Sequence, residues 1–288
     1  MIAPAVAGKG PVREVSDPCA SETTRTRRTY RIVVGEASGR DLVLTSADGT
    51  QFNTHLATAT IPTMAGVVIV PDVFGLRLFY EELALRFATS GVQALTIDLY
   101  GRTAGLISRP RDEAFDFWPH IAATHTGTVA QDIAAAVAHL RALPAEPPRA
   151  VFTVGFCFGG ATSFHQAAMG HGLAGVIGFY GPPVVTARWQ GPAPAVIEHV
   201  DAFACPVLGI FGGADPSIPA ESIAQFDAAL SAAGVAHELV IYPGAPHSFF
   251  DWRQQEHAQA SADAWKRMLE FISREHPVTP GDSRTLVP

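Results

Sequence analysis

The sequence predicts an α/β fold: one domain built on a mostly parallel central sheet with helices on both faces. Three observations carry this. Short apolar runs rich in β-branched residues recur at Ala65 to Val70, Val92 to Ile97, Ala150 to Val154, Gly175 to Phe179 and Val207 to Phe211. Segments with apolar residues at helical spacing separate them. No internal repeat and no second core pattern interrupts the alternation. Apolar runs bounded by turn residues suit strands buried on both faces, and strands alternating with helices imply parallel pairing.

The elements follow in chain order. Residues 1 to 28 mix Pro, Gly, Ser, Thr and Arg without apolar periodicity and are expected to be a flexible N-terminal tail. Asp41 to Thr45 and Gln51 to Ala57 flank Asp48-Gly49, a hairpin signal. After the Ala65–Val70 run, Leu76, Tyr80, Leu83 and Phe87 share a helical face that Gly91 would close. Residues 100 to 126 break the rhythm and read as an excursion above the sheet. Val129, Ile133, Val137 and Leu140 mark the next helix, ended by Pro144, Pro147 and Pro148. A helix is expected from about Gly159, another at Ile223, Phe226 and Leu230, a strand at His237 to Tyr242, and a last helix at Trp265, Met268, Leu269 and Ile272. The domain is thus expected over 29–275, with a C-terminal tail over 276–288.

Composition narrows the function. With 288 residues, 48% hydrophobic and only 16% charged, the chain can bury a sizeable core. A net charge of -7 and the lack of a basic stripe argue against nucleic acid as a partner. No run reaches the ~18 apolar residues of a membrane span, and the N-terminus lacks the apolar stretch of a signal peptide. The three cysteines, Cys19, Cys157 and Cys205, have no short-range pairing. That argues against a disulfide framework, and no Cys/His spacing suggests a metal. A cytoplasmic location, with no cofactor, is the expectation.

The chemistry concentrates at Gly155-Phe156-Cys157-Phe158-Gly159-Gly160, between a buried strand and a helix. G-x-S-x-G in that context is a nucleophile elbow, here with Cys in place of Ser. The turn is tight, so the nucleophile's neighbours must lack bulky side chains. The N–H of Phe158 would then face the reacting carbonyl oxygen. The plainer reading is a buried, inert cysteine beside a glycine-rich packing contact. Asp215 and His247 favour the first reading. Each directly follows a predicted strand, where ligands bind in open α/β sheets, and the order nucleophile, acid, histidine suits the elbow. His247 could take the thiol's proton and later protonate a leaving oxygen, with Asp215 orienting the ring. Taken singly, Asp215 could cap a helix near Pro219, and His247 could be an ordinary loop histidine.

Together the GFCFGG elbow, the strand-end aspartate and the Pro246-His247-Ser248-Phe249 segment resemble the dienelactone hydrolase family over roughly residues 40 to 275. The resemblance implies a single-domain α/β-hydrolase fold with no large lid domain. It also implies a small lactone or ester as substrate, and a carboxymethylenebutenolidase type of activity. Val70-Pro71-Asp72-Val73-Phe74-Gly75 matches a second family segment. There the resemblance implies that the Val73 N–H is a second oxyanion donor. It also implies that Asp72, where the family has a glutamate, modulates the thiol. Asp72 could instead cap the helix near Leu76. A third match implies that Arg111 and Phe115, four apart on one helical face, contact the substrate. An arginine on a charged helix is otherwise simply solvated.

One departure bears on the substrate. The dienelactone-cleaving members carry an arginine four residues after the histidine, and this chain has Asp251 there, with Arg253 on other spacing. An added negative charge would repel a carboxylate substrate, which points to a neutral ester or another lactone. Phe74, Phe158, Trp118, Phe249 and Phe250 suggest an apolar pocket, although aromatic residues also serve as plain core. Two alternatives accompany the lactone-hydrolase reading. One is a broad-specificity carboxylesterase acting on neutral esters. The other is a non-catalytic ligand-binding protein on the same scaffold.

Overall fold

In a computed structural model, residues 36–106, 115–185 and 194–275 are described. The expected tails at 1–28 and 276–288, Cys19 and Arg111 lie outside the described residues.

Eight strands make one sheet in the order β1-β2-β4-β3-β5-β6-β7-β8. They are β1 (Ala37–Thr45), β2 (Gln51–Ala59), β3 (Ala65–Val70), β4 (Gln93–Ile97), β5 (Ala150–Phe156), β6 (Gly175–Phe179), β7 (Val207–Gly212) and β8 (His237–Tyr242). The hairpin forms as expected, with Thr45 opposite Gln51, and β2 also pairs antiparallel with β4. Every other pairing is parallel.

Side chains on β3 alternate between two cores. Val67 and Ile69 join one cluster with Tyr80, Phe87, Phe164, Phe226 and Trp265. Val68 and Val70 join the other with Ile133, Val137, Leu140 and Tyr100. Period-two alternation thus explains why the run is apolar throughout, since both faces are covered. Helices α1 (Leu78–Thr89), α5 (Phe158–His165), α6 (Ala220–Ala232) and α7 (Ala258–Glu275) contribute to the first cluster, and α4 (Thr126–Arg141) to the second. Two short helices, α2 (Gly101–Ala104) and α3 (Trp118–Ala122), occupy the excursion. The 3-10 turn at Val196–Ala202 had no periodic signature.

Several boundaries differ from expectation, among them the start of β1, at Ala37 and not Asp41, and the start of the first helix. Helix α1 begins at Leu78, not near Leu76. Gly75 turns the chain at φ +74°, its N–H donating to the Asp72 carbonyl at 2.9 Å, and Arg77 remains extended at φ -132° as the residue before the helix. Asp72 therefore does not cap α1.

The chain leaves β3 for β4 on one side and later returns to β5 on the other. The order reverses between β3 and β5, and ligands in open α/β sheets bind at the carboxyl ends of such a pair. Val70 lies opposite Gly155 at that end. The Asp72–Val73 segment and Cys157 follow directly.

Candidate active site

Cys157 sits at φ 56°, ψ -116°, between the end of β5 and the first residue of α5. A left-handed backbone is costly for a residue with a Cβ, and it persists only where the surroundings enforce it. Here the glycines allow the enforcement. A Cβ at Gly155 would lie 1.8 Å from the Gly159 carbonyl oxygen, and one at Gly159 would lie 2.2 Å from the carbonyl oxygens of both Val70 and Pro71. A Cβ at Gly160 would meet the Phe179 oxygen at 2.5 Å. Each glycine lets α5 press onto a different strand end. The Cys157 N–H donates to the Phe179 carbonyl at 3.0 Å, tying the elbow to β6. The sulfur-bearing residue is partly exposed, whereas Cys205 is buried and its thiol is pushed up to about 11 by burial.

His247 and Asp215 meet as the sequence expects. Nδ1 of His247 lies 2.5 Å from Oδ2 of Asp215, whose side chain is fully buried. Asp215 Oδ1 accepts the Ser217 N–H at 2.8 Å, which fixes the carboxylate plane. Asp215 does not cap α6, because Pro219 stands at that position. The two loops approach because β7 ends in glycines: a Cβ at Gly212 would meet the Ala245 oxygen at 2.4 Å. Burial opposes a charge on His247. The neighbouring Cys157 sulfur and the hydrogen bonds to Asp215 and Cys157 outweigh it and push the imidazole up to about 10. The His247 ring thus lies between the Asp215 carboxylate and the Cys157 sulfur.

Val73 and Phe158, the expected oxyanion donors, are both buried at the ends of the two switch-point strands. The Val73 carbonyl accepts the Tyr100 hydroxyl at 2.5 Å, which fixes the peptide on its C-terminal side.

Asp72 has two partners within the β3–α1 loop. Its Oδ1 accepts the Phe74 N–H at 2.9 Å and its Oδ2 accepts from Arg77 at 2.7 Å. The same Arg77 nitrogen donates to Asp251 Oδ2 at 2.9 Å, and the Tyr180 hydroxyl donates to Asp251 Oδ1 at 2.9 Å. This corrects the expectation for Asp251. Its side chain is wholly buried and held by a cation, so it presents no free negative charge to a substrate. Sequence reasoning missed Arg77, since an arginine before a helix reads as solvated and its partner is 174 residues away. Tyr180 had a usable signal, because it directly follows β6.

The aromatic residues divide. Phe249 and Phe250 are fully buried: Phe249 packs on Tyr180 and Tyr242, and Phe250 on Phe179. Phe249 therefore belongs to the core behind the histidine, which corrects its place among the pocket-lining residues. Phe74 instead joins an outer row. Its ring lies 5.2 Å from Phe117 and 5.6 Å from Trp252, and Phe117 lies 4.9 Å from Trp118. Trp252 is 45% and Trp118 63% exposed, so the row faces solvent. Phe115 stacks on His120 at 5.3 Å. Among the described residues, one group with potential metal-ligand atoms lies within 4.8 Å of one another: Asp41, His55 and Glu81. They stand on β1, β2 and α1 and share no residue with the Cys157 site. No described helix is long and apolar enough to cross a membrane.

The comparisons with known proteins agree with this geometry. The model of the dienelactone hydrolase family matches residues 52–276. A Salmonella typhimurium protein named "Putative carboxymethylenebutenolidase" is 31% identical over 216 residues, covering 72% of this chain and 76% of its own. A Methylorubrum extorquens protein of the same name is 27% identical and covers 88% of this chain and 94% of its own. The crystal structure of a "Putative Dienelactone Hydrolase" from Klebsiella pneumoniae superposes with a TM-score of 0.72 at 24% identity, over 83% of this chain and 99% of that one. A domain matched over most of its length, carrying this elbow on this sheet, is a member of the dienelactone hydrolase family, and the chain is an enzyme of the carboxylic ester hydrolase class.

Proposed function

We propose that the chain hydrolyses a neutral lactone or ester through Cys157, His247 and Asp215. The observation that carries this reading is the strained elbow, which sets Cys157 beside an imidazole held by a buried carboxylate. The thiolate of Cys157 attacks the carbonyl carbon and forms a C–S bond. The oxyanion accepts the N–H groups of Val73 and Phe158. As the tetrahedral intermediate collapses, the C–O bond breaks and His247 gives its proton to the leaving oxygen. Water then attacks the thioester with His247 as base. The acid departs and the thiolate returns. The reading places the enzyme in a reducing compartment, where Cys157 stays a free thiol.

Two observations support a neutral, apolar substrate. The row Trp252, Phe74, Phe117 and Trp118 includes the residue after Val73, so an apolar group next to the reacting carbonyl would meet it. Arg77 already serves two carboxylates. We expect kcat/KM for p-nitrophenyl phenylacetate to exceed that for a dienelactone carrying a free carboxylate by about tenfold or more. Trp252→Ala should lower the former more than the latter. A preference for the carboxylate substrate would contradict this assignment. Equal inactivity of wild type and Cys157→Ala on both would favour the binding-protein alternative.

The proton inventory gives a second expectation. Below about 10 His247 carries the proton that the leaving oxygen needs, so kcat/KM for an unactivated alkyl ester should fall as pH rises through that value. Asp215→Asn removes a carboxylate that favours the imidazolium. Its alkaline limb should move to lower pH, and its rate should drop by about 10³-fold or more. A profile for Asp215→Asn that superposes on wild type would remove Asp215 from the triad.

A further inference from the structure

Behind the reacting groups lies a buried ionic cluster that the triad does not use. One nitrogen of Arg77 donates to Asp72 at 2.7 Å and to Asp251 at 2.9 Å, and all three side chains are at least nine-tenths buried. The guanidinium stacks 4.2 Å from the centre of Trp252 and 4.9 Å from that of Tyr80. The Tyr80 hydroxyl accepts the Asp72 N–H at 3.0 Å. The β3–α1 loop and the loop that follows His247 therefore meet at one cation, and Tyr180 at the end of β6 joins them through Asp251.

We propose that Arg77 is a positioning residue for catalysis, pinning the oxyanion-donor loop and the His247 loop to each other through the two aspartates. The proposal rests on the roles assigned above to Val73 and His247. Asp72 accepts the Phe74 N–H, so its carboxylate sets the turn that presents the Val73 peptide. Asp251 sits four residues after His247 and ties that loop to Arg77 and Tyr180. Removing the cation leaves two buried carboxylates unpaired beside each other, and their repulsion favours separation of the loops. The groups that face Asp251 are Asp72 and Arg77 from the β3–α1 loop, Tyr80 from α1, Tyr180 after β6, and the Trp252 backbone. Burial and the charge of Asp72 push Asp251 up to about 6 against the pull of Arg77. Protonating Asp251 at low pH relieves the repulsion, so the defect of a variant without the cation shrinks as pH falls.

The test compares Arg77→Met, Arg77→Lys and Arg77→Met/Asp251→Asn with wild type on p-nitrophenyl acetate from pH 5 to 9. The Cys157 alkylation rate by iodoacetamide and thermal unfolding are followed beside it. Arg77→Met should lose about 100-fold in kcat at pH 8, with KM changed by less than about threefold, and should lose less at pH 5. Arg77→Lys keeps the charge between the two aspartates but loses the planar stack on Trp252, and should retain at least about fivefold more activity than Arg77→Met. The double variant should regain about tenfold over Arg77→Met, because one unpaired carboxylate is gone. Should Arg77→Met fail to fold, the lysine and double variants carry the same contrast. The proposal is overturned if Arg77→Met matches wild type across the pH range. It is equally overturned if Arg77→Lys is as impaired as Arg77→Met, or if neutralising Asp251 restores nothing. Turnover that does not depend on Cys157 would sink the reading of the site itself. Turnover that depends on Cys157 but is indifferent to Arg77 would sink this proposal alone.

Discussion

Replacing Cys157 with alanine lowers kcat/KM for an activated ester by about 10⁴-fold or more, leaving only what oriented binding provides. The loss should reside in kcat, because the side chain acts on the carbonyl carbon and contributes little to holding the ground state. The variant should be no less stable than wild type. Cys157 occupies a left-handed conformation that costs on the order of 1–3 kcal/mol whatever the side chain, and its thiol is partly exposed, so little burial is lost. The same chemistry predicts selective alkylation. Iodoacetamide near neutral pH should label Cys157 well ahead of Cys205, which is buried with its thiol pushed up to about 11. Labelling of both at similar rates would show that the environment of Cys157 does not activate it.

The second large effect is structural. Gly155→Ala should destabilise the fold by about 3 kcal/mol or more, and lower Tm by roughly 5–10 °C. A Cβ there would lie 1.8 Å from the Gly159 oxygen and 2.9 Å from the Gly160 nitrogen, all of it backbone at the elbow. No side chain can swing away, so α5 must shift from β5 and carry Cys157 with it. Activity should therefore fall even in the fraction that folds. Gly127 is the matched control. It lies in the first turn of α4 with nothing within 4 Å of a Cβ, so Gly127→Ala should be neutral or stabilise by about 0.5 kcal/mol. Equal Tm values for the two alanine variants would remove the steric account of the elbow.

These effects also explain what the sequence made legible. The strands β3 and β6 were readable to the residue because both faces of the sheet are covered, which makes each run apolar throughout. The four α7 residues chosen from helical spacing are all buried, since one face of that helix meets the sheet. The catalytic candidates were readable because Cys157, Asp215 and His247 lie in the segments just past the carboxyl ends of β5, β7 and β8, and strand ends define the crevice. What escaped was either local backbone chemistry or long-range pairing. The start of α1 depends on the turn at Gly75 and on Asp72, neither of which alters the apolar spacing. The meaning of Asp251 depends on Arg77, and only the folded sheet brings the two together. Phe249 looked like a pocket residue because it stands two positions from His247. The turn at Ser248, with φ 59°, accompanies a chain that buries it completely.

Rapid acid quench during turnover of p-nitrophenyl acetate, followed by peptide mass analysis, tests the central claim most directly. The account predicts an acetyl group on the peptide containing Cys157, as a thioester removed by hydroxylamine, and its absence in Cys157→Ala. Steady turnover with no acyl adduct on Cys157, or with the adduct on another residue, would contradict it.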